Sequence, residues 1–231
     1  MSVRIAKFLS DCGVASRRGA EKLIADGAVA INGNIIDSPV NFVSDADIVT
    51  VNGKQISLSD KTELYAFYKP INTMTTKSDP NGRKTIYDVL PKKYHYLKYV
   101  GRLDFKTTGL LLLTNDGDLA RKLTLPSSHI PRVYVAHIGG KCDKLDLARR
   151  GMVVDGIKYA PMKITEQEHG VLRIEITEGK KNEIRIVMRA CGCPVKKLHR
   201  INYGKISLGK LTPGQIMKIS QKTIDEMLKT L

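Results

Sequence analysis

The chain has 231 residues, 42% of them hydrophobic, and a formal charge of +15 from 38 Lys and Arg against 23 Asp and Glu. That length buries a core and suits one or two domains, while that charge calls for a polyanionic partner, nucleic acid first and an anionic membrane surface second. The longest aliphatic run is Leu110 to Leu113 and Met1 to Ala15 carries no apolar signal core, so no membrane role is expected and the protein is placed in the cytoplasm or inside an organelle.

Residues 1–60 hold 6 Lys and Arg against 7 Asp and Glu, so the basicity belongs to residues 61–231. This split predicts two units, 1–60 and 61–231, joined near Leu58 to Glu63, where Ser57-Leu58-Ser59-Asp60-Lys61 is short and polar. In the first unit Val3 to Cys12 spaces Ile5, Phe8 and Leu9 as a helix does. Ser16 is placed to cap a second helix that runs to Asp26 and stops at Gly27. Ile31-Asn32-Gly33-Asn34 and Val51-Asn52-Gly53-Lys54 are tight-turn signals between β-prone segments. The positive charge of this unit gathers before residue 23, as in a small module that grips phosphate on one side.

The second unit alternates short apolar runs with turns. Strands are expected at Tyr65 to Tyr68, Leu110 to Leu113, Val133 to Ile138, Val171 to Ile176 and Ile216 to Ile219. Helices are expected at Asp118 to Leu123, Asp143 to Arg150 and Glu183 to Cys191. With few strand-helix-strand units, the fold class is α+β: a small N-terminal αβ domain, then a catalytic-size domain with a mainly antiparallel sheet.

Asp104 stands between Arg102 and Lys106 and just before the four leucines. Cations nearby favour the ionised carboxylate that a nucleophile or base requires, and a buried strand behind it would hold it rigidly. Taken alone, Arg-x-Asp is more often a solvated loop pair. The densest charge lies at 179–222, where eleven Lys and Arg face Glu183 alone, with His199 and Tyr203 interspersed as stacking candidates. It reads as a surface that tracks a nucleic-acid backbone.

The full wording of the segment, Gly101-Arg102-Leu103-Asp104-Phe105-Lys106-Thr107-Thr108-Gly109-Leu110-Leu111-Leu112-Leu113-Thr114-Asn115-Asp116-Gly117, resembles the catalytic motif of the RsuA/RluB family of S4-domain ribosomal RNA pseudouridine synthases. The resemblance implies that Asp104 is the nucleophile. Glu178-Gly179-Lys180-Lys181-Asn182-Glu183-Ile184-Arg185 resembles the family's third motif and implies that Arg185 pairs with Asp104; Ile186 and Lys180-Lys181-Asn182 depart from its usual wording. Arg132-Val133-Tyr134-Val135 resembles the segment of the active-site tyrosine and implies Tyr134, which by itself would read as a core residue. Lys69-Pro70 with Thr75-Thr76 resembles the first, structural motif, where Lys69 is open to two readings, a phosphate contact or a plain surface lysine.

The order Ala15-Ser16-Arg17-Arg18, Gly27-x-Val29-x-Ile31-Asn32-Gly33, Asp47-x-Val49-x-Val51-Asn52-Gly53 resembles an S4 RNA-binding domain, whose second helix would carry Arg17, Arg18 and Lys22 to RNA. With them Lys69, Arg102, Lys180, Lys181, Arg189, Lys196, Lys197 and Arg200 form the expected RNA-binding set. No nucleotide, dinucleotide or metalloprotease motif is present, and no metal or cofactor is expected. The four cysteines read as ordinary thiols rather than zinc ligands or a disulfide framework. The expected activity is isomerisation of uridine to pseudouridine in ribosomal RNA, nearest in wording to the RluB-like branch acting on 23S RNA. The expected partner is ribosomal RNA or a ribosomal assembly intermediate, and the expected state a monomer. The alternative is a non-catalytic RNA-binding or ribosome-assembly factor on the same fold; charge does not separate the two, and Asp104 does. An S4-linked RNA methyltransferase is a weaker rival, lacking a Gly-rich cofactor turn.

Overall fold

The computed structural model describes residues 2–58 and 61–229, so Ser59 and Asp60 of the expected join lie outside the described residues. The N-terminal segment runs β1 (Val3–Arg4), α1 (Ile5–Asp11), α2 (Arg17–Ala25), β2 (Val29–Ile31), β3 (Asn34–Ile35), β4 (Phe42–Val43), β5 (Val49–Val51) and β6 (Lys54–Ile56). Helix α1 begins later than expected because Val3 and Arg4 pair with Val43 and Phe42 instead. Ser16 caps α2, its Oγ accepting from Gly19 N at 3.0 Å, a bond worth about 1 kcal/mol. Asn32-Gly33 and Asn52-Gly53 all have positive φ, as the two-residue turns of the β2–β3 and β5–β6 hairpins require. Ile5, Leu9, Ala20, Ile24, Val29, Val43 and Val49 close a core of their own.

The rest of the chain forms β7 (Leu64–Lys69), β8 (Lys98–Val100), β9 (Thr107–Thr114), α3 (Gly117–Thr124), β10 (Arg132–Ile138), α4 (Leu145–Arg150), β11 (Met152–Val154), β12 (Ile157–Tyr159), β13 (Lys163–Glu168) and β14 (Val171–Ile176). It continues through α5 (Glu183–Ala190), β15 (Val195–Tyr203), β16 (Ile206–Ser207), β17 (Ile216–Lys218) and α6 (Gln221–Leu228). A nine-stranded sheet runs in the order β13-β14-β10-β15-β9-β7-β17, with β8 added on β9 and β16 on β15. Every pairing in it is antiparallel except β9 with β15. The class is therefore α+β with a mostly antiparallel sheet, as expected.

Strand β9 is the middle of this architecture. Leu111 and Leu113 enter the apolar cluster that includes Ile184, Val187 and Met188 of α5, while Leu110 and Leu112 enter the one with Leu119 and Leu123 of α3. Burial on both faces explains an unbroken leucine run where a one-sided strand would alternate. All four side chains are 0% exposed, and each stabilises the fold by roughly 1.5–3 kcal/mol. The segment that enters β9 is thereby anchored at its C-terminal end. Gly109 (φ +103°) lets β15 come this close, since a Cβ there would lie 2.2 Å from Arg200 O.

The two segments meet through charge. Asp11 accepts from Lys7 at 2.7 Å and from Lys98 at 2.6 Å, and Lys7 reaches Asp118 at 3.1 Å. One expectation is corrected. Cys142 and Cys193 are joined as a disulfide, because the 139–142 and 192–194 segments lie side by side, with Gly139 N donating to Pro194 O at 2.9 Å; only Cys12 and Cys191 are free thiols. Helix α6, a segment for which the sequence reading names no element, is capped by Ser220 and buries Ile224 and Met227 on its inner face.

Candidate active site

The residues before β9 form an irregular loop, and Asp104 sits half-buried at its middle, between exposed Arg102 and Lys106. What holds this loop is a set of bonds to its main-chain carbonyls. Thr75 Oγ1 donates to Leu103 O at 2.9 Å and accepts from Leu103 N. Asn72 N donates to Phe105 O at 2.9 Å. Arg185 Nη2 donates to Lys106 O at 3.1 Å, and Lys69 Nζ donates to Thr107 O at 2.9 Å. Four carbonyls flanking Asp104 are thus fixed from three directions. The carboxylate itself enters no ion pair within 4.0 Å among the described residues.

Arg185 extends from the first turn of α5, and its second arm, Nη1, reaches Val195 O at 3.0 Å. Its fork therefore bridges a carbonyl of the loop and the first carbonyl of β15 instead of pairing with the Asp104 carboxylate as expected. Asp104 is nevertheless close enough to act on it. Burial draws the Arg185 pKa below its ordinary value, and the Asp104 charge draws it back up. Tyr134, on β10, is 7% exposed and lies opposite Arg200 in the β10–β15 ladder.

Lys69 and Arg200 are corrected as RNA contacts, because both are enclosed. Lys69 ends β7 on the same face as Tyr65 and Phe67 and is 0% exposed. Its ammonium is used up on Pro70 O (3.0 Å) and Thr107 O. Burial pushes its pKa down to about 8; the Asp104 charge opposes that shift and the Arg200 charge adds to it. Arg200 is 2% exposed and packs against Tyr134 and Tyr203, their ring centres 6.0 and 5.2 Å from Cζ. Tyr203 is likewise buried and out of reach of a base, while His199 is half-buried and shares a 2.8 Å contact with Thr108 Oγ1.

The other expected RNA contacts lie at the surface: Arg17, Arg18 and Lys22 on α2, Arg102 by the loop, Lys180, Lys181 and Arg189 around α5, and Lys196 and Lys197 on β15. Lys180 is tied to Glu178 and to Lys158 O. Beneath it, buried Glu183 accepts from Gly179 N and Lys180 N, both at 2.8 Å. Burial and the adjacent Glu178 charge push Glu183 up to about 7. The charge count missed Thr75 and Asn72 as loop anchors, although the Lys69-Pro70 motif points to that segment. It also missed Arg132, which donates to Thr177 O (3.1 Å), to Glu178 O and to Tyr203 Oη (3.2 Å).

Known proteins resemble this chain along its whole length. Residues 63–190 match the family described as RNA pseudouridylate synthase, and residues 3–49 match the S4 domain. An uncharacterised RNA pseudouridine synthase of Rickettsia conorii is 40% identical over 227 residues, covering 96% of this chain and 98% of its own. One of Aquifex aeolicus is 39% identical, covering 100% of this chain and 96% of its own. A crystal structure of a pseudouridylate synthase superposes with a TM-score of 0.71 at 26% identity, covering 97% of this chain and 99% of that one.

Proposed function

Because the chain belongs to the S4-containing, RsuA-type family of RNA pseudouridine synthases, we propose that it modifies a uridine in ribosomal RNA with Asp104 as the nucleophile. Isomerisation of uridine in RNA follows from the family; the choice of RNA and the residue roles are the proposal. One observation carries it: the loop around Asp104 is fixed at four carbonyls, while the carboxylate has no ion-pair partner within 4.0 Å among the described residues. A merely structural Asp would be expected to spend its charge on a neighbour, and two exposed cations, Arg102 and Lys106, stand beside it in sequence.

In this reading residues 1–60 and 61–231 act as an RNA-gripping unit and a catalytic unit. Arg17, Arg18 and Lys22 hold RNA on the first, and Arg102, Lys181, Arg189, Lys196 and Lys197 hold it on the second, with the target base flipped from its stack. Asp104 then attacks C1′ of the ribose or C6 of the base. The C1′–N1 bond breaks, the uracil turns, and C1′ joins C5. Tyr134 faces C5 and takes its proton. Arg185 ties the loop at Lys106 O to β15 at Val195 O and lends its charge to Asp104. The wording of the Asp104 motif favours the large-subunit 23S RNA, in the cytoplasm, with a monomer as the working unit. No helix among the described residues is long and apolar enough to cross a membrane.

The test is to map pseudouridine in ribosomal RNA, by carbodiimide treatment and primer extension, in cells lacking the protein and complemented with wild type or Asp104→Asn. One site should vanish and return only with wild type. An Asn variant that restores it equally, or no changed site at all, would leave the RNA-binding or assembly factor as the better reading.

A further inference from the structure

Among the described residues of the 179–222 run, Arg200 is the cation that the fold encloses, at 2% exposure. Its Nε donates to Leu110 O at 2.6 Å, its Nη1 lies 3.5 Å from Tyr134 Oη, and its Nη2 has no partner. No carboxylate lies within 4.0 Å of it among the described residues. An enclosed guanidinium with no counter-ion and an orphaned N–H destabilises the resting fold. The arrangement makes sense where negative charge develops beside it during the reaction, since a fixed cation then acts without reorganising.

Two groups in contact with Arg200 are able to become anions, and the hydrogen bonds choose between them. Tyr203 Oη donates to Leu123 O at 2.6 Å and accepts from Arg132 Nη2 at 3.2 Å, so its proton is committed. Tyr134 Oη has the Arg200 Nη1 approach and no other partner among the described residues. We infer that Arg200 is a positioning residue for proton removal: it fixes Tyr134 and supplies the positive charge against which Tyr134 phenolate forms. The inference rests on the reading of Asp104 and Tyr134 given above. In the step concerned, C1′ is already bonded to C5. The C5–H pair becomes the C5=C6 double bond and displaces a pair onto N1, or back onto Asp104 where that oxygen is still bonded to C6. Tyr134 first gives its phenolic proton to water, forming the phenolate beside Arg200; the phenolate then takes the C5 proton and is a phenol again, and N1 takes one proton from water, so the turnover balances.

The experiment compares turnover of ribosomal RNA transcribed with uridine and with 5-deuterated uridine by the full-length protein. For wild type, proton removal should be fast and the two substrates alike. Arg200→Gln should lower kcat roughly 10²-fold with KM nearly unchanged, and bring in a primary deuterium isotope effect. Arg200→Lys, which restores the charge, should recover part of the rate, and Tyr203→Phe, at the other ring on the same guanidinium, should show no isotope effect. A folded Arg200→Gln that is slow without an isotope effect overturns the inference. Should Arg200→Gln fail to fold, Arg200→Lys decides: a reduced rate with an isotope effect smaller than that of Tyr134→Phe supports the inference, and a full rate without one overturns it. Asp104→Asn with full activity would instead sink the reading of the nucleophile, a distinguishable outcome.

Discussion

The buried ammonium of Lys69 makes a prediction whose size follows from its surroundings. Its pKa falls from an ordinary 10.5 to about 8 because burial outweighs the nearby Asp104 charge. Between those values the unfolded chain holds a proton that the folded chain has released. Stability should therefore rise with pH across that window, the cost of the enclosed charge being fully present only below it. At about 1.36 kcal/mol per pH unit, this one group adds about 2 kcal/mol between pH 7.5 and 9.5. Lys69→Met keeps the bulk and removes the titration. It also removes the donor to Pro70 O and Thr107 O, so stability at one pH mixes opposing effects and is a poor readout. The difference in slope is the good one. Urea unfolding at pH 7.5 and 9.5 should show wild type gaining about 2 kcal/mol over Lys69→Met. Parallel pH dependences would mean that Lys69 is charged in the fold at no such penalty, and the reasoning would be wrong. Pseudouridine formation by the variant should fall as well, since Thr107 O is one of the four fixed carbonyls around Asp104.

Glu183 gives the mirror case: burial and Glu178 raise it to about 7, so between pH 4.5 and 7 the folded chain keeps a proton that the unfolded chain loses. Stability should fall as pH rises through that range, and Glu183→Gln should flatten the fall; melting curves at pH 5 and 7.5 that shift equally for both proteins would rule this out. Lys196→Ala combined with Lys197→Ala should reduce the slope of log affinity for RNA against log salt by about 1.5, whereas Lys69→Met, being enclosed, should leave it unchanged. Filter binding at several salt concentrations distinguishes these, and an altered slope for Lys69→Met would place its ammonium on the RNA.

The parts of this molecule readable from sequence are those encoded locally. Asn32-Gly33 and Asn52-Gly53 name their turns, Ser16 names its helix, and the leucine run of β9 announces a strand buried on both faces. Charge counting failed where tertiary pairing turns a cation inward. Lys69 follows Tyr65 and Phe67 at a spacing of two, and Arg200 follows Leu198 at the same spacing, so strand alternation held the clue in both. That clue was weaker than the prior that lysine and arginine are exposed. The Cys142–Cys193 bond, spanning 51 residues, and the carbonyl contacts of Arg185 are settled only by the fold.

The hold on the Asp104 loop has a consequence for how such an enzyme changes over generations. A carbonyl oxygen is present at every residue, so bonds to Leu103 O, Phe105 O, Lys106 O and Thr107 O do not depend on which side chains those positions carry. Replacing exposed Arg102 or Lys106 would therefore alter the RNA contact proposed above while these carbonyl bonds keep the backbone around Asp104 in place. On the reading proposed above, chemistry and choice of target are carried by different groups, the fixed backbone around Asp104 and the exposed side chains beside it.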